Sequence, residues 1–336
     1  MALKALTLAL LVGGVLQSSQ ANSQSLTTEA DVTGGYSTDG VTAAATQLRG
    51  FGELKAGVRF YLEGTWATRS FSDADGESDA FSAAYPYDNR VQFTEAFAER
   101  MFRPGKGLVG IRAGRYRTPF GISGRSDYAY SGFLRAPLIR YDDSFALTNN
   151  FLERGADLIV GTPQFYLETS LGVPSDLGTD PRRPGLDTVV RLQGYHENWI
   201  LGVSHLRTLP YQSVRFAQGR AVFTGIDVRW SRDGVLASGE WLTGRPFDGT
   251  TTDGWHADVS VHRPPMGPLT AVLRAEQIDY NADPRFALHL RRLTAGARIR
   301  LPRGLTAQVD VLHQTGGDPE YSNALDAALT YSIRFP

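Results

Sequence analysis

Long stretches of strict apolar–polar alternation constrain this chain more than any other feature of its sequence. Residues 293–301, LTAGARIRL, carry leucine, alanine or isoleucine at every second position, with threonine and arginine among the residues between them. Residues 224–230, TGIDVRW, and 305–314, LTAQVDVLHQ, follow the same period. Because successive side chains of a β-strand point to opposite faces, this period predicts strands with one apolar face and one charged face.

The alternation predicts sixteen strands, most of them 10 to 14 residues long. They lie at residues 26–36, 43–53, 55–69, 89–102, 107–118, 152–162, 164–173, 186–197, 199–208, 220–231, 234–245, 254–264, 267–279, 288–301, 303–315 and 323–335. Strands of soluble proteins average about 5 to 6 residues, whereas about 9 to 11 tilted residues cross the hydrocarbon core of a membrane. The sequence therefore predicts an all-β fold, a 16-stranded antiparallel transmembrane β-barrel.

The connections between these strands alternate in length along the chain. Short ones are predicted at 53–55, 103–106, 163, 197–198, 232–234, 264–267 and 302–303, and long ones at 37–42, 70–88, 119–151, 174–185, 209–219, 246–253, 280–287 and 316–322. Short turns on one rim and long loops on the other are typical of bacterial outer-membrane barrels. Because a barrel has no free edge, the last strand, 323–335, is predicted to pair with the first, 26–36.

The first 21 residues have the layout of a secretory signal peptide. Lys4 precedes an apolar run from Ala5 to Leu16, and Ser19-Gln20-Ala21 forms a cleavage site of the small-x-small type. The apolar run is too short to cross a bilayer as a helix. We therefore predict a signal peptide at 1–21 and a single outer-membrane barrel domain at 22–336.

The charged residues narrow the possible functions. Without Lys4 the chain has 33 basic and 35 acidic residues, and this balance argues against a nucleic-acid partner. Three of the basic residues of the whole chain are lysine and 31 are arginine, and the chain has no cysteine. Arginine suits fixed positions that face anions, although a GC-rich genome produces the same bias.

The charged strand faces predict a water-filled interior. In lipid the apolar face must point outward, so the charged face lines the lumen, and sixteen strands leave room for an aqueous channel. The predicted lumen-lining residues include Arg59, Glu63, Arg191, Arg229, Arg274 and Arg298. In the strand 89–102, Glu95 falls on the same face as Val91, Phe93 and Phe97, which predicts a bulge or an irregular face.

The longest connection, 119–151, follows an arginine-rich strand end, RAGRYR at 112–117. A loop of this length in a folded domain is usually functional. We predict that it folds into the barrel and constricts it. The predicted constriction or solute-contacting residues are Arg112, Arg115, Arg117, Arg125, Asp127, Arg135, Arg140, Asp142, Asp143, Glu153 and Arg154.

The segment GIRAGRYRTPFG, residues 110–121, resembles the signature that closes a strand in the phosphate-selective porin family. The matching residues are Gly114, Arg115, Tyr116, Arg117, Pro119, Phe120 and Gly121. VQFTEAFAER at 91–100 is similar to the strand that precedes that signature. The resemblance implies a homotrimeric outer-membrane channel for passive diffusion of small hydrophilic solutes, often anions, with an inward-folded loop between strands five and six.

The residues leave the ion preference and two other functions open. Arg112, Arg115 and Arg117 predict a mild anion preference, unless they form ion pairs that hold the loop to the wall. An outer-membrane hydrolase, with a base such as His256 beside Asp258, and a barrel plugged by its own loop are the alternatives. Residues 73–79, DADGESD, match only part of a calcium loop. We predict no enzymatic activity, no cofactor and no metal, with membrane lipid and small solutes as partners.

Overall fold

Sixteen antiparallel strands follow one another around a closed barrel, in which the first strand pairs with the last. The computed structural model describes residues 23–54, 57–72, 78–83, 89–122, 132–140, 152–174, 186–208, 221–246, 251–262, 267–281, 288–316 and 322–335. The predicted signal peptide lies outside these residues. Within the described residues, no helix is long and apolar enough to cross a membrane.

The strands are consecutive neighbours in the sheet. They are β1 Ser23–Ser37, β2 Val41–Leu54, β3 Val58–Phe71, β4 Val91–Phe102, β5 Leu108–Arg117, β6 Leu152–Gly161, β7 Phe165–Pro174, β8 Asp187–His196, β9 Trp199–Arg207, β10 Val222–Arg232, β11 Val235–Arg245, β12 Thr251–Val261, β13 Leu269–Asn281, β14 Leu288–Arg300, β15 Leu305–Thr315 and β16 Asn323–Phe335. The register joins Thr28 to Phe335 and Ser37 to Asp326. The predicted closure of the sheet is therefore confirmed.

The connections sort onto two rims, with exceptions to the predicted lengths. Connections that follow even-numbered strands, beginning with the one from β2 to β3, lie on the short-turn rim. Connections that follow odd-numbered strands lie on the long-loop rim. The connection 38–40 on the long-loop rim has only three residues, against six predicted. Strand β12 ends at Val261 instead of 264, and Pro264 and Pro265 follow it, which have no amide hydrogen for the ladder.

The two faces of the sheet differ as the alternation predicts. Large apolar side chains are exposed on one face, for example Val32, Leu158, Leu201, Ile226, Leu293, Val311 and Leu329. The opposite face carries buried charged side chains, among them Glu63, Asp157, Glu168, Asp187, Arg191, Asp227, Glu240, Arg274, Glu276, Arg292, Asp310 and Asp326. The charged face is the inner wall of the barrel, because segments between the strands pack against it.

A bulge on β4 explains the predicted irregularity of that strand. Glu63 of β3 pairs with Glu95, but the next residue, Gly64, pairs with Phe93, so Thr94 is an extra residue. Phe93 is 57% exposed on the outer face. Beyond Thr94 the faces exchange, and Glu95 points inward. The bulge thus keeps a carboxylate inside without breaking the ladder.

Candidate functional site

Three carboxylate side chains surround Arg112 on the inner wall of β4–β7. The Arg112 guanidinium donates to Glu99 at 3.3 Å, to Asp157 at 3.1 Å and to Glu168 at 3.2 Å. It also lies 4.9 Å from the centre of the Phe97 ring. Because one arginine faces three carboxylates, this part of the wall is not electropositive.

Arg117, at the end of β5, forms a second cluster with Glu63 and Glu95. Its guanidinium lies 3.3 Å from Glu63 and 3.6 Å from Glu95, and its backbone amide donates to Glu95 at 2.9 Å. The bulge at Thr94 places Glu95 within reach, and the Thr94 hydroxyl donates to Glu63 at 2.6 Å. Arg112 and Arg117 therefore form ion pairs within the wall itself.

The described part of the long connection, residues 132–140, packs against the inner face of β12–β16. Arg274 donates to the carbonyl oxygen of Arg135 at 2.9 Å, and Arg292 donates to that of Ala136 at 2.8 Å. Gln308 donates to the carbonyl oxygen of Gly132 at 2.8 Å. The wall thus satisfies backbone groups that an irregular segment would otherwise leave without partners. Residues 132–140 therefore lie against the inner wall, and the constriction of the lumen by the loop 119–151 stays a prediction.

Arg135 ties this segment to three other parts of the chain. Its guanidinium donates to Asp39 at 2.7 Å, to Asp79 at 2.6 Å and to Asp326 at 2.6 Å. All four side chains are buried. Asp39 lies in the connection after β1, Asp79 between β3 and β4, and Asp326 on β16, so one side chain joins distant parts of the wall.

A second inward segment, residues 78–83 between β3 and β4, was not predicted from the sequence. Its Asp79 pairs with Arg135 and with Arg292, and its Ser82 hydroxyl accepts from the amide of Ala136 at 3.0 Å. Phe81 is buried in a cluster with inward residues of β2, β3 and β16. The two segments therefore form one docked unit, and the only sequence signal was the apolar AF at 80–81 within a polar loop.

The charge of Asp79 depends on its two arginine partners. Burial alone would raise the pKa of Asp79, but Arg292 and Arg135 overcome this effect and lower the pKa from 3.8 to about 2. The carboxylate therefore stays ionised over the whole range in which proteins usually fold. The docked unit keeps its ion pairs under these conditions.

Apolar contacts complete the docking of the long connection. Phe120, Leu138 and Ile139 join a buried cluster inside the barrel with residues of five strands, Val189, Leu206, Phe223, Leu242, Ile278 and Tyr280. A β-carbon on Gly225 would lie 2.9 Å from the Phe120 ring, so the ring can rest on the wall only where a glycine stands. The two described parts of this connection, residues 119–122 and 132–140, are thus both attached to the wall.

The predicted constriction residues divide into three groups. Arg112, Arg117 and Arg135 lie on or against the inner wall, as described above. Arg115 and Arg154 are direct cross-strand partners, so their side chains share one face of the sheet. Arg154 lies on the same face as exposed Leu158, opposite the face of buried Asp157. This placement on the outer face removes both from the inner wall, because the side-chain period of a strand is two. The remaining predicted residues lie outside the described residues (Arg125, Asp127, Asp142, Asp143) or have only their backbone described (Arg140, Glu153).

The predicted lumen-lining residues all share the inner face. Glu63, Arg191 and Arg274 are buried there. Arg229 lies on the inner face because it is two residues from buried Asp227. Arg59 and Arg298 lie there for the same reason, since each is an even number of residues from a buried inward side chain, Glu63 and Arg292 respectively. Arg191 pairs with Asp227 at 2.9 Å, and Arg59 with Glu99 at 2.9 Å. Arg59, Arg191 and Arg274 are each balanced by a carboxylate, and Glu63 is balanced by Arg117.

His256 lies on the inner wall between two carboxylates. It is 3.2 Å from Asp258 and 3.5 Å from Glu240, and it is 3% exposed. A buried base with both ring nitrogens next to carboxylates has no open side for a substrate. Among the described residues, no group of three or more histidine, aspartate and glutamate side chains is placed to hold a metal ion.

Exposure differs around the inner wall. On β1–β5 three inward charged side chains are partly exposed, with 25% for Glu29 and 16% for both Arg49 and Arg112, whereas Glu63 and Arg117 are buried. On β13 and β14, Arg274, Glu276 and Arg292 are at most 2% exposed. Solvent therefore reaches charged groups on the β1–β5 side of the interior, and it also reaches Arg229 and Arg298, which are partly exposed on the inner face.

Solved porin structures share this fold. An anion-selective porin from Comamonas acidovorans aligns over 92% of this chain and 99% of its own, with a TM-score of 0.60 and 12% identity. Pseudomonas putida OprB aligns over 96% and 97%, with 0.59 and 11%, and the trimer form of Vibrio cholerae OmpT over 92% and 98%, with 0.57 and 9%. No protein family and no curated protein matches the sequence. The chain has a porin-type β-barrel fold, and the phosphate-selective subfamily stays a prediction.

Replacing Arg135 by glutamine should destabilise the barrel strongly. The change leaves Asp39, Asp79 and Asp326 without their common cation, and breaking a buried ion pair costs about 3–5 kcal/mol. We expect a lower temperature for the loss of the compact form on a semi-denaturing gel. The control is Arg154→Gln on the outer face, which should change that temperature little. Equal temperatures for Arg135→Gln and wild type would show that Arg135 does not anchor the segment.

The contribution of Asp79 should depend on pH in one direction. Because the folded pKa lies below the unfolded value, the ion pairs contribute stability that is present above about pH 4 and is lost as the pH falls toward 2. The difference in unfolding temperature between wild type and Asp79→Asn should therefore be constant from neutral pH down to about pH 5, and should shrink below about pH 4. Exposed Asp233→Asn serves as the control. A difference that shrinks at higher pH would contradict the lowered pKa.

Proposed function

We propose that the protein is a porin of the bacterial outer membrane that lets small hydrophilic solutes diffuse passively. The observation that carries this proposal is the closed barrel with an apolar outer face and a charged inner face. An aqueous path through a membrane needs both faces. The likeness of the fold to solved porins supports the same proposal.

The solute path runs along the side of the wall formed by β1–β5. There the inward charged residues Glu29, Arg49, Glu99 and Arg112 are partly exposed, whereas segment 132–140 covers the wall of β12–β16 and segment 78–83 covers inward residues of β2, β3 and β16. The docked segments narrow the lumen from one side, as expected of a constriction. The buried charges behind them hold the segments in place and do not contact the solute.

The ion preference of the pore depends on how far the positive charges of its lumen arginines are balanced by neighbouring carboxylates. Arg112 and Arg117 suggested anion preference, but each faces at least two carboxylates, and Arg115 lies on the outer face. Compensated pairs in a wide pore produce a weak field, and salt screens it over about 8 Å. We propose at most a mild anion preference.

The outer face of β1–β3 supports a homotrimer. It carries small residues, Ala30, Gly34, Ala44, Gly50 and Gly64, around Leu48 and Trp66, which pack together there. Elsewhere the outer face presents leucine, valine and isoleucine to lipid. A flat sector of this kind fits against a neighbouring copy, and the trimer form of OmpT has a related fold.

A plugged barrel is the second candidate function. The near-complete burial of inward charges such as Arg191, Glu276 and Arg292 favours it, because open pores expose such groups to water. Single-channel recordings in a planar bilayer separate the two. Stable open steps support the porin, and a folded barrel without steps supports the plug.

Removing residues 132–140 should raise the single-channel conductance. The segment covers the inner wall of β12–β16, so its removal widens the path. The variant lacks Arg135, so it should lose the compact form at a lower temperature than wild type, but without heating it should stay folded because none of the strands is altered. A conductance equal to that of wild type would contradict the proposed narrowing by this segment.

Replacing Arg112 by glutamine should shift the reversal potential toward cation preference. The change leaves Glu99, Asp157 and Glu168 facing one another without their shared cation. The measurement is the reversal potential under a tenfold salt gradient, and the control is Arg154→Gln, from the partner strand but on the outer face. Equal shifts in the two variants, or none in either, would show that Arg112 does not contact the ion path.

A further inference from the structure

Two arginines stand side by side on the outer face at the long-loop rim. Arg207 is the last residue of β9 and Arg245 is the last residue of β11, and both lie opposite Val222, the first residue of β10. They share the outer face because each alternates with buried positions, Leu206 before Arg207 and Pro246 after Arg245. Strands lie about 4.8 Å apart, so the two backbones are roughly 10 Å apart across β10.

The surroundings place both arginines at the edge of the apolar belt. On the short-turn side of them, Leu201, Val203 and Ile226 are exposed, as expected for residues that face lipid. Between the belt and the arginines lies one row of polar contacts, in which His205 bonds to Thr224 at 3.0 Å. The guanidinium groups therefore reach the level at which lipid headgroups begin.

The nearby carboxylates on the same face are already engaged. Asp253 accepts from the indole nitrogen of Trp241 at 3.4 Å, and Asp279 accepts from Gln277 at 2.7 Å and lies 2.8 Å from His289. Within the described part of the chain, neither Arg207 nor Arg245 has an ion-pair partner. Two neighbouring positive groups remain beside a surface of low dielectric constant, where they attract anions strongly.

We propose that Arg207 and Arg245 together bind a membrane lipid whose headgroup carries two phosphate groups. Guanidinium groups bind phosphate oxygens through two parallel hydrogen bonds. The acyl chains of such a lipid would lie on the apolar belt below, which a soluble anion or a protein partner would not use. The proposal rests on the proposed membrane location but not on conduction.

The test is lipid retention by the full chain purified as a folded barrel in detergent. Wild type and the double variant Arg207→Gln/Arg245→Gln are incubated with diphosphorylated lipid A, with monophosphoryl lipid A and with phosphatidylglycerol, and bound lipid is measured by native mass spectrometry. Loss of two basic residues next to an anionic surface should weaken retention of the diphosphorylated lipid roughly thirtyfold. Wild type should also prefer it over the two lipids with one phosphate.

Arg232→Gln, exposed on the short-turn rim beside Asp233, is the control and should retain lipid like wild type. Undiminished retention by the double variant, or equal retention of all three lipids by wild type, overturns the proposal. So does displacement of the lipid by millimolar inorganic phosphate, which would indicate a site for a soluble anion. The heat-dependent gel shift checks that each variant is folded, and the single variants replace the double variant if it is not.

The same samples separate this proposal from the proposed channel. Because both arginines lie on the outer face, the double variant should conduct as wild type does in a planar bilayer. A wild type that conducts but does not retain the diphosphorylated lipid contradicts the lipid site alone. A wild type that retains the lipid but does not conduct supports the lipid site and contradicts the channel.

Discussion

The closure of the backbone hydrogen-bond ladder determines the rest of this structure. In lipid, an unpaired amide or carbonyl group has no water to bond, so a sheet can cross the membrane only as a closed barrel. Closure by the pairing of β1 with β16 fixes which face points outward, and the alternation along each strand then fixes every side chain. Charged residues within the apolar belt must lie inside, where each needs a partner of opposite charge or water.

The interior meets this need by compensation between strands. Arginine dominates because its planar fork can bind several carboxylates at once, as Arg112 and Arg135 each do with three. Both clusters use residues far apart in sequence, and the cluster of Arg135, together with Arg292, holds the segments 78–83 and 132–140 against the wall. The same compensation limits the selectivity of the lumen, because a charge that holds structure is not available to attract a solute.

The strands could be predicted from the sequence because their period of two is a local property. The irregular face of β4 was also visible, since Glu95 contradicts the pattern, and the bulge at Thr94 explains it. The partners of Arg112 could not be predicted, because Glu168 lies 56 residues away and reaches it only through the register. The sequence also grouped Arg115 with Arg112, although the two are three residues apart and therefore lie on opposite faces of β5.

The inward segment 78–83 shows where prediction by loop length stops. The length of the connection 119–151 predicted a functional role for it, but no comparable feature of the sequence marked the connection between β3 and β4. Its role follows from Asp79, a buried carboxylate that is tolerated only because Arg135 and Arg292 both face it. Neither segment has its full set of partners without the other. The width of the lumen is therefore a property of the pair, and a change in either segment should be felt through the arginines that join them.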